Sequence, residues 1–260
     1  MMNVKEKLIV EIERLDKAPY REILCYPRPE NEELKKRISE LKRLRVRALE
    51  FQGSKNVSGI PVLGKGCVGI VVAAYLEDEE KVALKIRRID ADRANMRHEA
   101  EMLEMANSIN VGPRLLGYTD NFLLMEYIDG KLFPEWLEET NNKNLIKKVL
   151  YGFLKQCFML DQIGLDHGEL SNASKHLIVN SKNKPFILDF ETASTKRKSA
   201  NLTSLTQFLF IRKPLAEKIA EKIGEIDRQN LIEALKSYKR EKTRENFEKV
   251  LKVCNLAFSL

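Results

Sequence analysis

The sequence is poor in the residues that build disulfide-linked and zinc-bound folds. Its 260 residues include only four cysteines and three histidines. No two cysteines stand in CxxC spacing, and the four are spread along the chain as Cys25, Cys67, Cys157 and Cys254. We therefore expect neither a disulfide framework nor a structural zinc site.

Long apolar runs are also missing. No uninterrupted apolar stretch approaches the length of about 18 residues that a membrane-spanning helix needs. The first residues, MMNVKEKLIVEIERLDK, carry too many charges for the apolar segment of a secretory leader. These absences predict a cytoplasmic protein with no membrane partner.

Glycine is scarce as well, yet three of the 12 glycines lie close together in LGKGCVGIVV (63–72). The pattern GxGxxGxV, with a lysine inside it, is formed by Gly64, Lys65, Gly66, Gly69 and Val71. Glycines at this spacing let backbone N–H groups approach phosphate oxygens, because no Cβ stands in the way. An ordinary glycine turn gives the same pattern, so the loop alone does not define a site.

A lysine interrupts the next apolar stretch. VALKI (82–86) is typical of a strand, and Lys85 lies within it. An edge-strand lysine or one that extends its charge to solvent is the ordinary explanation. In the functional interpretation, Lys85 binds phosphate as a point charge and is oriented by a carboxylate on a nearby helix.

The segment RHEAEML (97–103) offers two such carboxylates, Glu99 and Glu101. The apolar residues around them recur at helical spacing: Met96, Ala100, Leu103 and Ala106. Glu99 directly precedes Ala100, so it is favoured over Glu101 as the partner of Lys85, with a solvated helix glutamate as the alternative.

These ordered features resemble the protein-kinase superfamily. NFLLMEYIDG (121–130) is similar to that family's fifth strand and the hinge after it. The resemblance implies that adenine is bound by backbone groups of Glu126 and Ile128, with Met125 as the gatekeeper and Ala83 beside it. From the residues alone, the segment also reads as a buried strand with an Asp-Gly turn.

HGELSNASKHLIV (167–179) resembles the family's catalytic loop, with three departures. Gly168 replaces an arginine, Glu169 replaces the aspartate that accepts the hydroxyl proton, and Ser174 stands where an asparagine would bind metal. Asn172 and His176 are alternative donors, although an imidazole suits Mg²⁺ poorly. The His-Gly start is similar to RIO-type kinases and to aminoglycoside or choline kinases.

FILDFETAS (186–194) follows, and its Asp189 corresponds to the family's metal-binding aspartate. Glu191, where protein kinases usually have glycine, would be a second acid near the metal. The resemblance thus implies ATP and Mg²⁺ as cofactors, with Asp189, Ser174 and Glu191 as metal ligands.

NLTSLTQFLF (201–210) resembles the family's next buried helix. Asn201 stands there in place of an aspartate that would brace the catalytic loop. Only about 70 residues follow Glu191, too few for a full peptide-binding lobe. The expected fold is α+β, namely a two-lobed protein-kinase-like fold with a truncated helical C-lobe and a helical N-terminal extension. The expected divisions are an extension at 1–52, an N-lobe at 53–130 and a C-lobe at 131–260.

The N-terminal extension is strongly basic. From Lys35 to Arg47, seven Lys or Arg stand against one Glu, and the whole chain carries a net charge of +7. A second predicted helix here would bury its apolar residues, namely Leu34, Ile38, Leu41 and Leu44. RNA or a ribosomal particle is a possible partner of this helix and of Lys196–Lys198, against the alternative of a charge-balanced solvated face.

The chain most resembles small archaeal predicted serine/threonine kinases of the RIO-like kind. That resemblance implies transfer of the ATP γ-phosphate to a hydroxyl of a protein substrate, including the chain itself, with Lys85, Glu169 and Asp189 as catalytic residues. Three alternatives stay open: a small-molecule kinase, an ATP-binding pseudokinase scaffold, and an ATPase switch in ribosome or tRNA processing.

Overall fold

The computed structural model describes residues 8–257, and these form two compact units. The first unit contains the residues up to Glu101 together with Arg114–Tyr127. The second contains Met102–Pro113 and the residues from Ile128 onward.

The first unit is built on an antiparallel sheet, and its strands are short to medium in length. They are β1 (Leu8–Glu11), β2 (Val46–Phe51), β3 (Lys55–Val57), β4 (Ile60–Val62), β5 (Gly64–Lys65), β6 (Gly69–Leu76), β7 (Lys81–Arg87), β8 (Leu115–Tyr118) and β9 (Phe122–Glu126). The main sheet runs in the order β1-β2-β6-β7-β9-β8, and β5 pairs with the beginning of β6. Strands β3 and β4 form a separate two-stranded ladder.

The two faces of β7 differ in what they contact. Val82, Leu84 and Ile86 belong to the apolar core of this unit. Ala83 and Lys85 alternate with them and therefore lie on the opposite face of the sheet. In the ladder, Lys85 pairs with Val71 of β6 and with Leu123 of β9. The strand predicted at 82–86 is thus confirmed, with its lysine in the middle of the sheet.

The helices of the first unit are α1 (Arg21–Leu24), α2 (Asn31–Arg43) and the beginning of α3 (Arg97–Asn107). Pro27 and Pro29 lie between α1 and α2, where proline disfavours the continuation of a helix. The four apolar residues expected at helical spacing, in α3 and just before it, are all buried: Met96, Ala100, Leu103 and Ala106.

The basic segment is only partly helical. Helix α2 ends at Arg43, and Arg45 has a φ of 57°, a left-handed conformation that ends a helix. The next residues, Val46–Phe51, form β2 between β1 and β6. The expectation of one basic helix from Lys35 to Arg47 is therefore wrong. The N-terminal segment contributes strands as well as helices, because residues 46–51 bury most of their side chains in the sheet.

The second unit contains a small antiparallel sheet, in the order β10-β11-β12, and most of the helices. Its elements are β10 (Gly130–Leu132), α4 (Phe133–Glu139), α5 (Lys143–Gln162), β11 (Leu177–Asn180), β12 (Pro185–Ile187), α6 (Asn201–Phe210), α7 (Leu215–Ile223), α8 (Arg228–Arg240) and α9 (Arg244–Val253). A 3₁₀ segment, Leu170–Lys175, precedes β11.

Helix α5 is the longest helix described, and its ends are set by local sequence. The Asn142 side chain accepts a hydrogen bond from the Leu145 N–H, which caps the first turn. Buried residues then recur every three or four positions, ending at Leu160 and Asp161. Helix α6 has the bounds that the sequence predicts. No helix within residues 8–257 combines the length and apolar character needed to cross a membrane.

Candidate functional site

The glycine-rich loop is the turn between β5 and β6. Gly64 pairs with Val71, and the Gly66 N–H donates to the Gly69 carbonyl over 2.8 Å. A Cβ on Gly69 would lie 3.0 Å from the Ile86 carbonyl oxygen and 3.1 Å from Lys85 Cγ. Gly69 is therefore required by close packing against Lys85, whereas Gly64 and Gly66 leave ordinary space for a ligand to approach the backbone.

A tyrosine from the N-terminal segment holds this loop. Tyr26 Oη lies 3.0 Å from Lys65 Nζ, and the Arg88 guanidinium lies 5.0 Å from the Tyr26 ring centroid. Arg88 Nη1 donates to the Gly66 carbonyl over 3.0 Å. The loop is thus anchored by residues outside the glycine pattern. The GxGxxGxV pattern does not predict that Tyr26 and Arg88 contact the loop.

Lys85 and Glu99 form a buried ion pair. Lys85 Nζ lies 2.9 Å from Glu99 Oε1, and the two side chains are 6% and 5% exposed. Glu99 lies in the first turn of α3, while Glu101 is exposed. The structure therefore places Glu99, and not Glu101, beside the strand lysine. The pair fixes the position of the ammonium group.

The expected adenine-binding residues lie at the end of the sheet. Ala83 pairs with both Ala73 and Met125, and Met125 is partly buried. The Glu126 N–H donates to the Arg114 carbonyl over 2.8 Å. Ile128 is partly buried and belongs to the second unit.

Acids neutralise much of the basic stretch. Arg37 is fully buried, and it bonds Glu33 Oε1 at 2.7 Å and Asn121 Oδ1 at 3.0 Å. Other cations have carboxylate partners as well: Lys35 with Glu32, Lys36 with Asp120, Arg45 with Glu77, and Arg47 with Glu11 and Glu79. The charge-balanced interpretation therefore describes most of this stretch, and RNA binding stays a prediction.

In the second unit, position 168, in the loop just before the 3₁₀ segment, requires a glycine. Gly168 has a φ of 89°, and a Cβ there would lie 2.6 Å from Arg197 Nη2 and 2.8 Å from Thr192 Oγ1. An arginine at this position would have to displace both groups. The packing around position 168 therefore favours glycine over the arginine of the protein-kinase pattern.

His167 is a bracing residue. Its backbone N–H donates to Asn201 Oδ1 over 2.8 Å, and its Nε2 lies 2.9 Å from the Leu188 carbonyl oxygen. Since a carbonyl only accepts, Nε2 carries the proton. Burial lowers the pKa of His167 to about 4, so the ring is neutral at pH 7. Asn201 also donates to Asp161 Oδ1 and to the Leu165 carbonyl, over 2.9 and 2.7 Å.

Glu169, His176 and Asp189 form one cluster. His176 Nε2 lies 3.0 Å from Glu169 Oε2, and His176 Nδ1 lies 3.7 Å from Asp189 Oδ2. Asp189 has a φ of 71°, a left-handed conformation that is unusual for aspartate and often marks functional sites. Glu191 follows in a turn and is partly buried.

His176 is the residue of this loop that the structure shows between the two carboxylates. The 3₁₀ segment before it is kinked at Asn172, with φ −138° and ψ 62°. Ser174 lies in this segment and is partly buried, and its role as a metal ligand stays a prediction. The sequence offered His176 only as an alternative donor.

The cluster provides ligands for a divalent cation. Ionised Glu169 and Asp189 offer carboxylate oxygens, which Mg²⁺ prefers, while His176 offers a nitrogen, which Mg²⁺ does not. The donor set therefore fits a cation at Asp189 but is mixed in character.

A glycine-rich strand pair, a buried strand lysine with its helix glutamate, and a braced acidic loop define the protein-kinase-like class. The model of one such family, the RIO domain, matches residues 71–207. The chain therefore belongs to the RIO-domain family of atypical kinase-like proteins. It is also 32% identical over 118 residues to the uncharacterized protein MJ1211 of Methanocaldococcus jannaschii. That match covers 45% of this chain and 99% of the relative. The expected resemblance and kinase-like fold class are confirmed.

Proposed function

We propose that this protein is an ATP-dependent serine/threonine protein kinase that phosphorylates a protein substrate and its own chain. Family membership supports ATP binding and phosphoryl transfer in general. The observation that carries the proposal is the buried pair of Lys85 and Glu99, 2.9 Å apart on a strand beside the glycine loop. Such a fixed cation has the charge and position to bind triphosphate oxygens.

Each element of the first unit has a role in this proposal. The backbone of Gly64, Gly66 and Gly69 approaches the phosphates, and Lys85 neutralises charge on the α- and β-phosphates. Adenine packs beside Ala83 and Met125 and bonds the backbone of Glu126 and Ile128.

The residues of the second unit act on the acceptor and on the cation. Glu169 accepts a hydrogen bond from the acceptor hydroxyl and orients it for attack. Its carboxylate is one methylene longer than an aspartate, and the contact of Oε2 with His176 Nε2 holds it in place. Asp189 holds the divalent cation that accompanies ATP. When bound, this cation neutralises negative charge on the transferring phosphate.

The test compares wild type with Lys85→Ala and Asp189→Ala in the presence of γ-labelled ATP and Mg²⁺ or Mn²⁺. We expect labelled phosphate on serine or threonine in wild type and at least a 100-fold loss in either variant. Lys55→Ala, at an exposed position of β3, is the matched control and should keep wild-type activity. Equal labelling of wild type and both site variants would disprove the proposal.

A small-molecule kinase is the second candidate, because the Gly168 position has no room for the arginine of ordinary protein kinases. This candidate predicts label on a metabolite hydroxyl and none on protein. Incubation with a panel of aminoglycosides, choline and sugars, followed by separation of protein from small molecules, distinguishes the two. Release of free phosphate without either product would instead indicate an ATPase.

A further inference from the structure

We propose that His176 Nδ1 and the Asp189 carboxylate bind a divalent first-row transition ion in preference to Mg²⁺, with Glu169 holding the other ring nitrogen. The inference deepens the proposed function, since it concerns the cation at Asp189. It assigns His176 as a metal ligand, a role that the kinase pattern gives to an amide oxygen elsewhere in the loop.

The contact with Glu169 fixes the proton of the imidazole. Nε2 lies 3.0 Å from Glu169 Oε2, a hydrogen-bond distance to a group that accepts when ionised. Nε2 therefore carries a hydrogen and donates it. In the neutral ring, Nδ1 then presents a lone pair.

That lone pair lies in an unfavourable place without a cation. The His176 side chain is 10% exposed, and Nδ1 has no hydrogen-bond partner among residues 8–257. It faces Asp189 Oδ2 at 3.7 Å, which is too long for a hydrogen bond even if Nδ1 were protonated. A buried imidazole lone pair without a hydrogen-bond donor is costly, and a cation shared with the neighbouring Asp189 carboxylate, whose side chain is 33% exposed, would satisfy it.

The separation of these two atoms suits a shared cation. Metal–nitrogen and metal–oxygen bonds of about 2.1 Å place two donors about 3.0 to 3.6 Å apart, for bond angles of roughly 90° to 120°. The observed 3.7 Å lies just above that range, so the two donors need to approach by only about 0.1 Å or more to share a cation.

The backbone holds both donors in this arrangement. The Leu188 N–H donates to the His176 carbonyl over 2.8 Å, which ties the residue before Asp189 to His176 itself. Asp189 keeps a left-handed φ of 71°, a conformation that is strained for a residue with a Cβ. The fold thus maintains a strained aspartate next to a buried imidazole.

Glu169, His176 and a cation would form a carboxylate–histidine–metal arrangement. Histidines that bind metals commonly donate their other N–H to a carboxylate, which fixes the ring and raises its basicity. Imidazole suits transition ions such as Mn²⁺, Co²⁺ and Zn²⁺, whereas Mg²⁺ prefers oxygen ligands and retains its water. The selectivity should therefore depend on His176.

The experiment measures metal binding by the full chain without nucleotide. Calorimetric titrations with Mn²⁺, Co²⁺ and Mg²⁺ should give at least tenfold tighter binding of the two transition ions. Pulsed electron paramagnetic resonance of bound Mn²⁺ should show coupling to a directly bonded ¹⁴N nucleus. His176→Asn should abolish that coupling and lower the Mn²⁺-to-Mg²⁺ affinity ratio at least tenfold.

Two further variants complete the design. Glu169→Gln should keep the nitrogen coupling but weaken Mn²⁺ binding about 10- to 100-fold, as expected for loss of a charged partner of the ligand. His98→Asn, at an exposed position of α3, is the matched control and should behave as wild type. If His176→Asn fails to fold, the nitrogen coupling of wild type and the Mn²⁺ affinity of Glu169→Gln still test whether His176 binds the metal.

Equal affinity of wild type for Mn²⁺ and Mg²⁺, or absence of nitrogen coupling, would overturn the inference. Failure of the proposed function is distinguishable from this result. Wild type that transfers label from ATP but shows no nitrogen coupling would retain the function and refute the metal ligand. Nitrogen coupling without any transfer of label would support His176 as a metal ligand and refute the proposed kinase function.

Discussion

Lys85 of β7 and Glu99 of α3 form an ion pair with 2.9 Å between Nζ and Oε1, although neither side chain is more than 6% exposed. Removing two charges from water is costly, so a buried pair is weak evidence for stability. The pair lies on the face of β7 opposite the apolar core, where the proposed function has the ammonium bind phosphate.

Removal of both charges of this pair should restore stability without restoring function. Lys85→Met leaves the Glu99 carboxylate buried without its ammonium, and should lower the free energy of unfolding by about 3–5 kcal/mol. The double variant Lys85→Met/Glu99→Leu removes both charges and should recover most of that loss. Urea denaturation measures both. ATP with a divalent cation should raise the Tm of wild type only, because a ligand that binds the folded state stabilises it.

Recovery of both stability and ATP binding in the double variant would show that the pair is structural. Lys55→Met provides the control, since Lys55 is exposed on β3.

A second prediction concerns the anchor of the glycine loop. Tyr26 contacts Lys65 through its hydroxyl and Arg88 through its ring. Tyr26→Ala removes both contacts and should raise the KM for ATP about three- to tenfold, the equivalent of one or two weak polar contacts. Tyr26→Phe keeps the ring and should change KM less than twofold.

Steady-state labelling at varied ATP concentration measures this effect, with kcat as a second readout. Tyr118→Ala, at an exposed tyrosine of β8, serves as the control. An unchanged KM in Tyr26→Ala would mean that the loop does not depend on the N-terminal segment.

Short-range patterns explain why much of the fold was predictable. The strand of Lys85 and the helix of Glu99 each carry a period that only one secondary structure satisfies, whereas helix α6 was expected from the family resemblance. The beginning of β2 carries no such clean signal, because its Arg45–Arg47 stretch continues the composition of α2. Pairing with β1 and β6 decides the structure there, and pairing partners are distant in sequence.

At the candidate site, too, some residues could be predicted from short-range patterns, and others depend on contacts that are distant in sequence. Glu99 could be chosen over Glu101 from the helix period alone, since residues two positions apart point to nearly opposite sides of a helix. His176 could be offered only as an alternative to Ser174, because its position between Glu169 and Asp189 depends on the folded path of a kinked 3₁₀ segment. The role of Tyr26 depends on a contact across 39 positions, for which a single sequence carries no signal.

A third prediction tests whether β2 is an integral part of the sheet. Tyr75 of β6 donates to Glu50 of β2 over 2.8 Å, and this bond is the main cause that raises the pKa of Tyr75 to about 12. An unfolded tyrosine loses its proton near pH 10, whereas the folded one keeps it. The free energy of unfolding should therefore fall as pH rises from about 10 to about 12.

Tyr75→Phe has no phenol at this position to titrate. In this variant, the part of the fall in the free energy of unfolding that Tyr75 causes at alkaline pH should be absent. Denaturation of wild type and variant at pH 8, 10 and 11.5 gives the difference, and other titrating groups cancel in the comparison. Parallel pH curves for the two proteins would show that the hydroxyl is not bonded to β2 in solution.

A fourth prediction concerns Asn201, which stands where the kinase pattern has aspartate. Its Nδ2 donates to Asp161 Oδ1 over 2.9 Å, and the two residues are 1% and 5% exposed. Asn201→Asp would restore the family residue but replace this donor with a second buried carboxylate. Because the two like charges cannot both be solvated, we expect the free energy of unfolding to fall by about 3 kcal/mol or more.

Asn230→Asp is a matched control, since Asn230 Nδ2 also donates to an aspartate, Asp227, over 2.8 Å, but in an exposed first turn of α8. There we expect a change below about 0.5 kcal/mol, because water screens the charges and the helix dipole favours acids. The exchange Asp161→Asn/Asn201→Asp should recover part of the loss, since it restores one donor and one carboxylate. Urea denaturation measures all four proteins. Equal stability of Asn201→Asp and Asn230→Asp would mean that Asp161 does not determine the residue at 201, and that an aspartate could brace His167 equally well.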